Sequence, residues 1–184
     1  MAQKATVFKA DLLISDMDRH YYERHVLTIA RHPSESDLRM MLRVAVFCLN
    51  ARENLTFCKG VSTDDEPDLW QKNLTDEIEH WIDLGQPDEK RLRRACGRAK
   101  KVSVYAYRSR SARLWWQQNA GKLQRFENLS VFLIEEISES VLTGLVKKTM
   151  NLQAIIQDQE LRLSDESTDV TITLETWKEA EKIQ

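Results

Sequence analysis

The sequence predicts an α/β (α+β) domain built on a mixed sheet flanked by helices, and three observations carry that reading. Stretches alternating polar and apolar residues are interspersed with stretches repeating at helical spacing, in the order ββ, α, three strands, α, β, α, β, α, then two or three strands. The 184 residues are 42% hydrophobic and 30% charged, enough to bury one sizeable core without disulfides or metal staples. With five glycines, three prolines and no linker, repeat or low-complexity run, residues 1–184 read as a single domain.

The first thirty residues read as a hairpin. Thr6 to Ser15 is rich in Val, Phe, Leu and Ile, Tyr21 to Ala30 alternates around Val26 and Thr28, and Ser15-Asp16-Met17-Asp18 supplies the turn. After Pro33, Ser34 is expected as N-cap with Asp37 three residues on, and Glu35 falls in the first helical turn, where the dipole favours it. Leu38, Leu42, Ala45 and Leu49 then mark a helix over 35–52 with one buried stripe. Leu55 to Cys58 predicts a short strand, and Ile78 to Leu84 a second, ending at Gly85. Pro87 opens a helix of about thirteen residues with Asp88 and Glu89 in its first turn. Val102, Val104 and Ala106 mark a central strand over Lys101 to Tyr107; Ser111 to Lys122 is helical, Leu129 to Ile134 is a buried strand, and Ser138 to Lys148 is a helix. Alternation returns at Leu152 to Ile156, Leu161 to Leu163 and Val170 to Leu174.

Composition excludes several classes of function. Cys48, Cys58 and Cys96 are an odd number without a CxxC pair, which points to a reducing, cytoplasmic setting. Residues 1–15 have neither signal- nor transit-peptide character, and no stretch approaches eighteen apolar residues, so no membrane association is expected. The net charge of −2 argues against a generic coat for polyanions. No glycine-rich phosphate loop is present, which excludes a nucleotide cofactor, and His20, His25, His32 and His80 lack zinc spacing. Trp115-Trp116 is expected to serve core packing before base stacking.

The informative stretch runs from Asp64 to Lys101. Residues two apart on a strand share a face, so a carboxylate on one strand and another on its hairpin partner converge to hold a hard cation such as Mg²⁺ or Mn²⁺. Such an ion activates water and neutralises charge on a scissile phosphate. Asp68, after Pro67 in the acidic run Asp64-Asp65-Glu66-Pro67-Asp68, and Asp83, near the end of the next strand, form such a pair. Pro67-Asp68 and Asp83-Leu84-Gly85 resemble the PD-(D/E)XK pattern, at the place where that superfamily puts it: helix, three strands, helix, strand. The resemblance implies a lysine two residues after the second carboxylate, and here that position is Gly85. The superfamily tolerates migration of this lysine to a neighbouring helix, which makes Lys90 the like-for-like substitute and Arg91 a phosphate clamp. Glu35 matches the position at which some members add an acidic residue.

A wider set of residues is similar to the bacterial YaeQ family: His32-Pro33-Ser34-Glu35, Asp64-Asp65-Glu66-Pro67 with Trp70, Trp81-Ile82-Asp83-Leu84-Gly85 with Pro87-Asp88-Glu89, Trp115-Trp116, and Ile156-Gln157-Asp158. The match runs along nearly the whole chain. It implies a restriction-endonuclease-like core over about 34–135, extended by terminal strands over 1–31 and 151–176, without implying a reaction. Within the family pattern Asp65-Glu66-Pro67 is as characteristic as Asp83, so the first carboxylate is either Glu66 or Asp68.

The helix after Pro87 is the second feature. Lys90, Arg91, Arg93, Arg94, Arg98, Lys100 and Lys101 crowd it and its exit, opposite Leu92, Ala95, Cys96 and Ala99, and this basic arc is where a phosphate backbone would lie. Two readings follow. One is a metal-dependent phosphodiesterase acting on DNA or RNA, with Glu66, Asp68 and Asp83 as metal ligands, Glu35 as accessory acid and Lys90 or Arg91 near the phosphate. The other is a catalytically degenerate module that binds nucleic acid through Arg91, Arg93, Arg94 and Arg98, or binds protein.

Overall fold

In the structure, a computed structural model describing residues 4–59 and 65–182, the elements in chain order begin with β1 (Thr6–Asp16), β2 (Tyr21–Arg31) and α1 (Asp37–Asn50). β3 (Leu55–Phe57), β4 (Leu69–Lys72), β5 (Ile78–Leu84), α2 (Glu89–Arg98), β6 (Ala99–Ala106), α3 (Ser109–Leu123) and β7 (Leu129–Ile134) follow. The last are α4 (Glu139–Thr143), β8 (Thr149–Gln157), β9 (Glu160–Ser164) and β10 (Asp169–Lys178). The fold is mixed α+β. It divides into two compact units: one takes the N-terminal residues to Ala51 and Ile137–Thr173, the other Arg52–Cys58, the central chain to Glu136, and everything from Leu174 on.

The first unit's strands run β2-β1-β8-β9-β10, with β1 and β8 parallel and the other pairs antiparallel. Phe8, Ala10, Leu12 and Ile14 of β1 are buried while Val7, Lys9 and Leu13 face out, as the period of two requires. Leu38 and every residue from Met40 to Cys48 in α1 are buried, so this helix is enclosed on all sides where one stripe was expected. Its cap also differs from expectation. Ser36, not Ser34, is the N-cap, its side chain accepting from Arg39 N at 3.2 Å, while Ser34 bonds His32. The reason is Glu35, which precedes the helix and turns inward to Arg43. The expected helix over Ser138 to Lys148 is cut to α4, because Lys148 O already accepts from Lys9 N and the chain has begun to pair with β1.

In the second unit the order is β10-β7-β6-β5-β4-β3, with β5-β6 and β6-β7 parallel. Its core gathers Trp81, Leu92, Ala95, Val102, Val104, Trp115, Leu129 and Val131. Trp115 is buried with its indole N–H on Pro87 O, and Trp116 stacks on Trp177 at 5.5 Å, so both rings serve packing. Asp88 caps α2, where it was expected inside the first turn. Among the described residues no helix is long and apolar enough to cross a membrane.

Candidate functional site

Strands β4 and β5 position the two central carboxylates. Their antiparallel register pairs Leu69 with Ile82, and Asp68 N donates to Ile82 O at 3.1 Å, so Asp68 stands opposite Asp83 across the ladder. The connecting turn is set by Asn73, whose side-chain Oδ1 accepts from Thr75 N and Glu77 N, and by Asp76 in the left-handed region. Both carboxylates are buried, Asp68 at 5% and Asp83 at 2% exposure. Oδ2 of Asp68 accepts from Leu84 N at 2.7 Å.

Asp83 is met by Arg91. The guanidinium forks onto it, Nε to Oδ2 at 2.9 Å and Nη2 to Oδ1 at 2.8 Å, and Nη2 also donates to Glu66 O at 2.9 Å. Charge-assisted, two-pronged bonds of this kind are the strong ones, and their planar fork fits a carboxylate as an ammonium cannot. The Asp88 cap, which accepts from Arg91 N at 2.8 Å, fixes the helix start that delivers Arg91 to this place. Between β5 and the helix the chain reverses at Gly85, whose φ of +100° strains any side chain, although nothing lies nearer a Cβ there than Tyr107 at 3.9 Å. A lysine at 85 is therefore disfavoured by backbone conformation and not by space.

Cys58 completes the neighbourhood. Its N–H donates to Asp68 O, and its thiol is pushed up to about 12, chiefly by burial and then by the negative charges of Glu66, Asp68 and Asp83. The thiol therefore stays protonated at neutral pH, although the charge of Lys72 works the other way.

As arranged, these residues do not fit a divalent ion. Both oxygens of Asp83 hold the guanidinium, one oxygen of Asp68 holds a backbone N–H, and among the described residues no three His, Cys, Asp or Glu side chains converge on one point. Asp64 lies outside the described residues.

The remaining expected site residues are distributed as follows. Glu66 is half-buried and meets Arg91 through its backbone carbonyl. Glu35 belongs to the first unit, where Arg43 Nη2 at 2.6 Å and Arg39 Nη1 at 3.3 Å engage its two oxygens. Lys90 and Arg93 are exposed. Arg94 pairs with Asp65 at 2.5 Å, and Arg98 donates to Asp65 O and lies over the Trp81 ring at 5.3 Å. Beside α2 the second unit holds an open cavity of about 1080 Å³, lined by Arg93, Lys100, Lys101, Arg125 and Lys182, by Phe126, and also by Glu127, Glu179 and Glu181.

Two features escaped the sequence. Arg91 was counted with the outward arc, yet it lies four residues before buried Ala95 and shares its face, a spacing legible in the sequence. The buried bond between His80 Nε2 and Ser103 Oγ, 2.8 Å across β5 and β6, left no motif to find.

Comparison with known proteins gives one consistent result. The model of the YaeQ protein family matches residues 1–174. The chain is 42% identical over 179 residues to the uncharacterized protein YaeQ of Escherichia coli (strain K12), covering 97% of this chain and 99% of that one. It is similar to the crystal structure of the YaeQ protein from Xanthomonas axonopodis pv. citri, with a TM-score of 0.91 and 42% identity over 95% of this chain and 98% of that one. The YaeQ protein from Pseudomonas syringae gives a TM-score of 0.87 and 31% identity over 95% and 97% of the two chains.

Proposed function

The chain belongs to the YaeQ family, and we propose that it is a nucleic-acid-binding protein on a restriction-endonuclease-like scaffold, in which Arg91 stands where a catalytic cation would. The observation that carries this reading is the fork of Arg91 on Asp83. A phosphodiesterase of this type needs a cation that delivers activated water and neutralises the phosphate. A guanidinium supplies fixed charge and hydrogen bonds but no water of lowered pKa. With Gly85 in the position of the expected lysine, the general acid-base group is absent from its usual place as well.

Phosphate binding falls to the outer face of α2. Lys90, Arg93, Arg94 and Arg98 are exposed there, and Lys101 lies beside them on the cavity, where Lys100 and Arg125 are paired with Glu79 and Glu89. The exposed pair of Arg94 with Asp65 is weak and yields readily to a phosphate. Fluorescence anisotropy of labelled DNA and RNA strands, titrated across a salt series, tests the reading. Wild type is expected to bind with strong salt dependence, and the triple variant R93A/R94A/R98A to bind more weakly with a salt slope lower by roughly two to three. Absence of binding, or unchanged binding by the triple variant, refutes it.

A second reading, a Mg²⁺- or Mn²⁺-dependent phosphodiesterase using Glu66, Asp68 and Asp83 with Lys90 near the phosphate and Glu35 as accessory acid, is favoured by the direct opposition of Asp68 and Asp83 across the ladder. It requires Arg91 to release Asp83, and strand cleavage by wild type that Asp83→Ala abolishes.

A further inference from the structure

Strand β2 ends the sheet of the first unit, and among the described residues β1 is the strand that pairs with it. Its open side can be worked out from the register. Lys9 N donates to Lys148 O, on the β8 side, so Lys9 and its β2 partner Thr28 form a pair that exchanges no hydrogen bonds. Thr28 therefore points its N–H and C=O away from β1, and so do Tyr22, Arg24, Val26 and Ala30, which alternate with it.

Such an edge is a template for another strand, and folds usually obstruct it with proline, bulges, unpaired charge or short length. In the second unit the terminal strand β3 is only three residues long. β2 spans eleven residues and contains no proline, glycine or lysine. Its arginines are answered within the unit, Arg24 by Asp11 and Arg31 by Asp37. Its outward face is exposed and mixes apolar with polar residues, with Val26 71% and Tyr22 57% exposed and Leu13 of β1 50% exposed alongside the Arg24–Asp11 pair.

We propose that this edge takes a second copy of the chain, pairing β2 with β2 antiparallel about a two-fold axis at Leu27. An identical strand turned about that axis brings N–H opposite C=O, because Val26 of one copy meets Thr28 of the other and Arg24 meets Ala30, all positions whose backbone groups face the edge. The Ala30 carbonyl also accepts from Arg43 at 2.9 Å and has a second lone pair for the ladder. Charge selects this register over its neighbours: it places exposed Glu23 of each copy opposite Arg31 of the other, sets Leu27 against Leu27, and opposes no like charges. A two-residue shift of the ladder loses both Glu23–Arg31 pairs.

Light scattering on the full chain after size exclusion tests this. Wild type is expected at twice the 21.5 kDa of one chain. Thr28→Pro removes an N–H that faces away from β1, so the hairpin is kept and the intermolecular ladder lost; Glu23→Arg sets arginines opposite each other and raises the dimer dissociation constant at least about tenfold. Circular dichroism verifies folding, and Glu23→Arg, at an exposed position, carries the test if the proline variant misfolds. A single-chain mass for wild type at every concentration, or a dimer undiminished in Glu23→Arg, overturns the proposal.

Discussion

Replacing Arg91 with methionine leaves the Asp83 carboxylate, 2% exposed, without its counter-charge. Two charge-assisted bonds at 2.9 and 2.8 Å are lost together. Breaking a fully buried ion pair costs about 3–5 kcal/mol, mostly from the charge left behind. Because the Arg91 side chain is 25% exposed, water reaches the gap, and the expected loss is nearer 2–3 kcal/mol. Single substitutions cannot separate the pair from the stranded charge, so a double-mutant cycle with Asp83→Asn is needed. Urea unfolding of wild type, Arg91→Met, Asp83→Asn and the double variant should give a coupling of about 1.5–2 kcal/mol. Arg91→Lys should recover only part of it, since an ammonium cannot fork. A coupling below about 0.5 kcal/mol, the level of an exposed surface pair, refutes the idea that Arg91 locks this site.

Three further perturbations probe neighbouring features. Burial, aided by the charges of Lys101 and Arg52, holds His80 down at about 3, against 6.5 in an unfolded chain. The neutral ring therefore supports the fold fully above pH 6.5, and stability falls at up to about 1.4 kcal/mol per pH unit as pH drops from 6.5 toward 3. Unfolding free energies at several pH values should show this slope flattened in His80→Gln; an identical slope in the variant contradicts it. Glu35→Gln leaves buried Arg43, itself 1% exposed, with a neutral partner and should cost about 3 kcal/mol, seen as a lowered melting temperature that an unshifted one would contradict. Gly85→Ala forces a side chain into a φ of +100° and should cost about 1–2 kcal/mol, with Gly85→Lys similarly destabilised and still unable to hydrolyse nucleic acid; full stability of the alanine variant contradicts the backbone argument.

Much of this molecule is written locally. The β1-β2 hairpin follows from period-two alternation and its turn residues, β5 from its stop at Gly85, β7 from a short apolar run, and α2 from its amphipathic spacing. What was not legible depends on distant partners. The cap was expected at Ser34 and falls at Ser36, because Arg43, eight residues beyond Glu35, draws that glutamate inward. α4 stops early because Lys148 is claimed by Lys9, which no window around α4 contains. At the site, the spacing of Pro67-Asp68 and Asp83 was enough to propose that two carboxylates meet. That Arg91 reaches both Asp83 oxygens depends on Gly85 turning the chain and on Asp88 capping a helix that starts two residues later than expected, details that only the assembled backbone displays.

The most direct test of the proposed function is a denaturing gel of a labelled oligonucleotide incubated with the protein and Mn²⁺ at a concentration where anisotropy reports binding. Arg91 on Asp83 requires the strand to remain full length. Shortened products that disappear with Asp83→Ala would contradict it and establish the carboxylate pair as a working metal site.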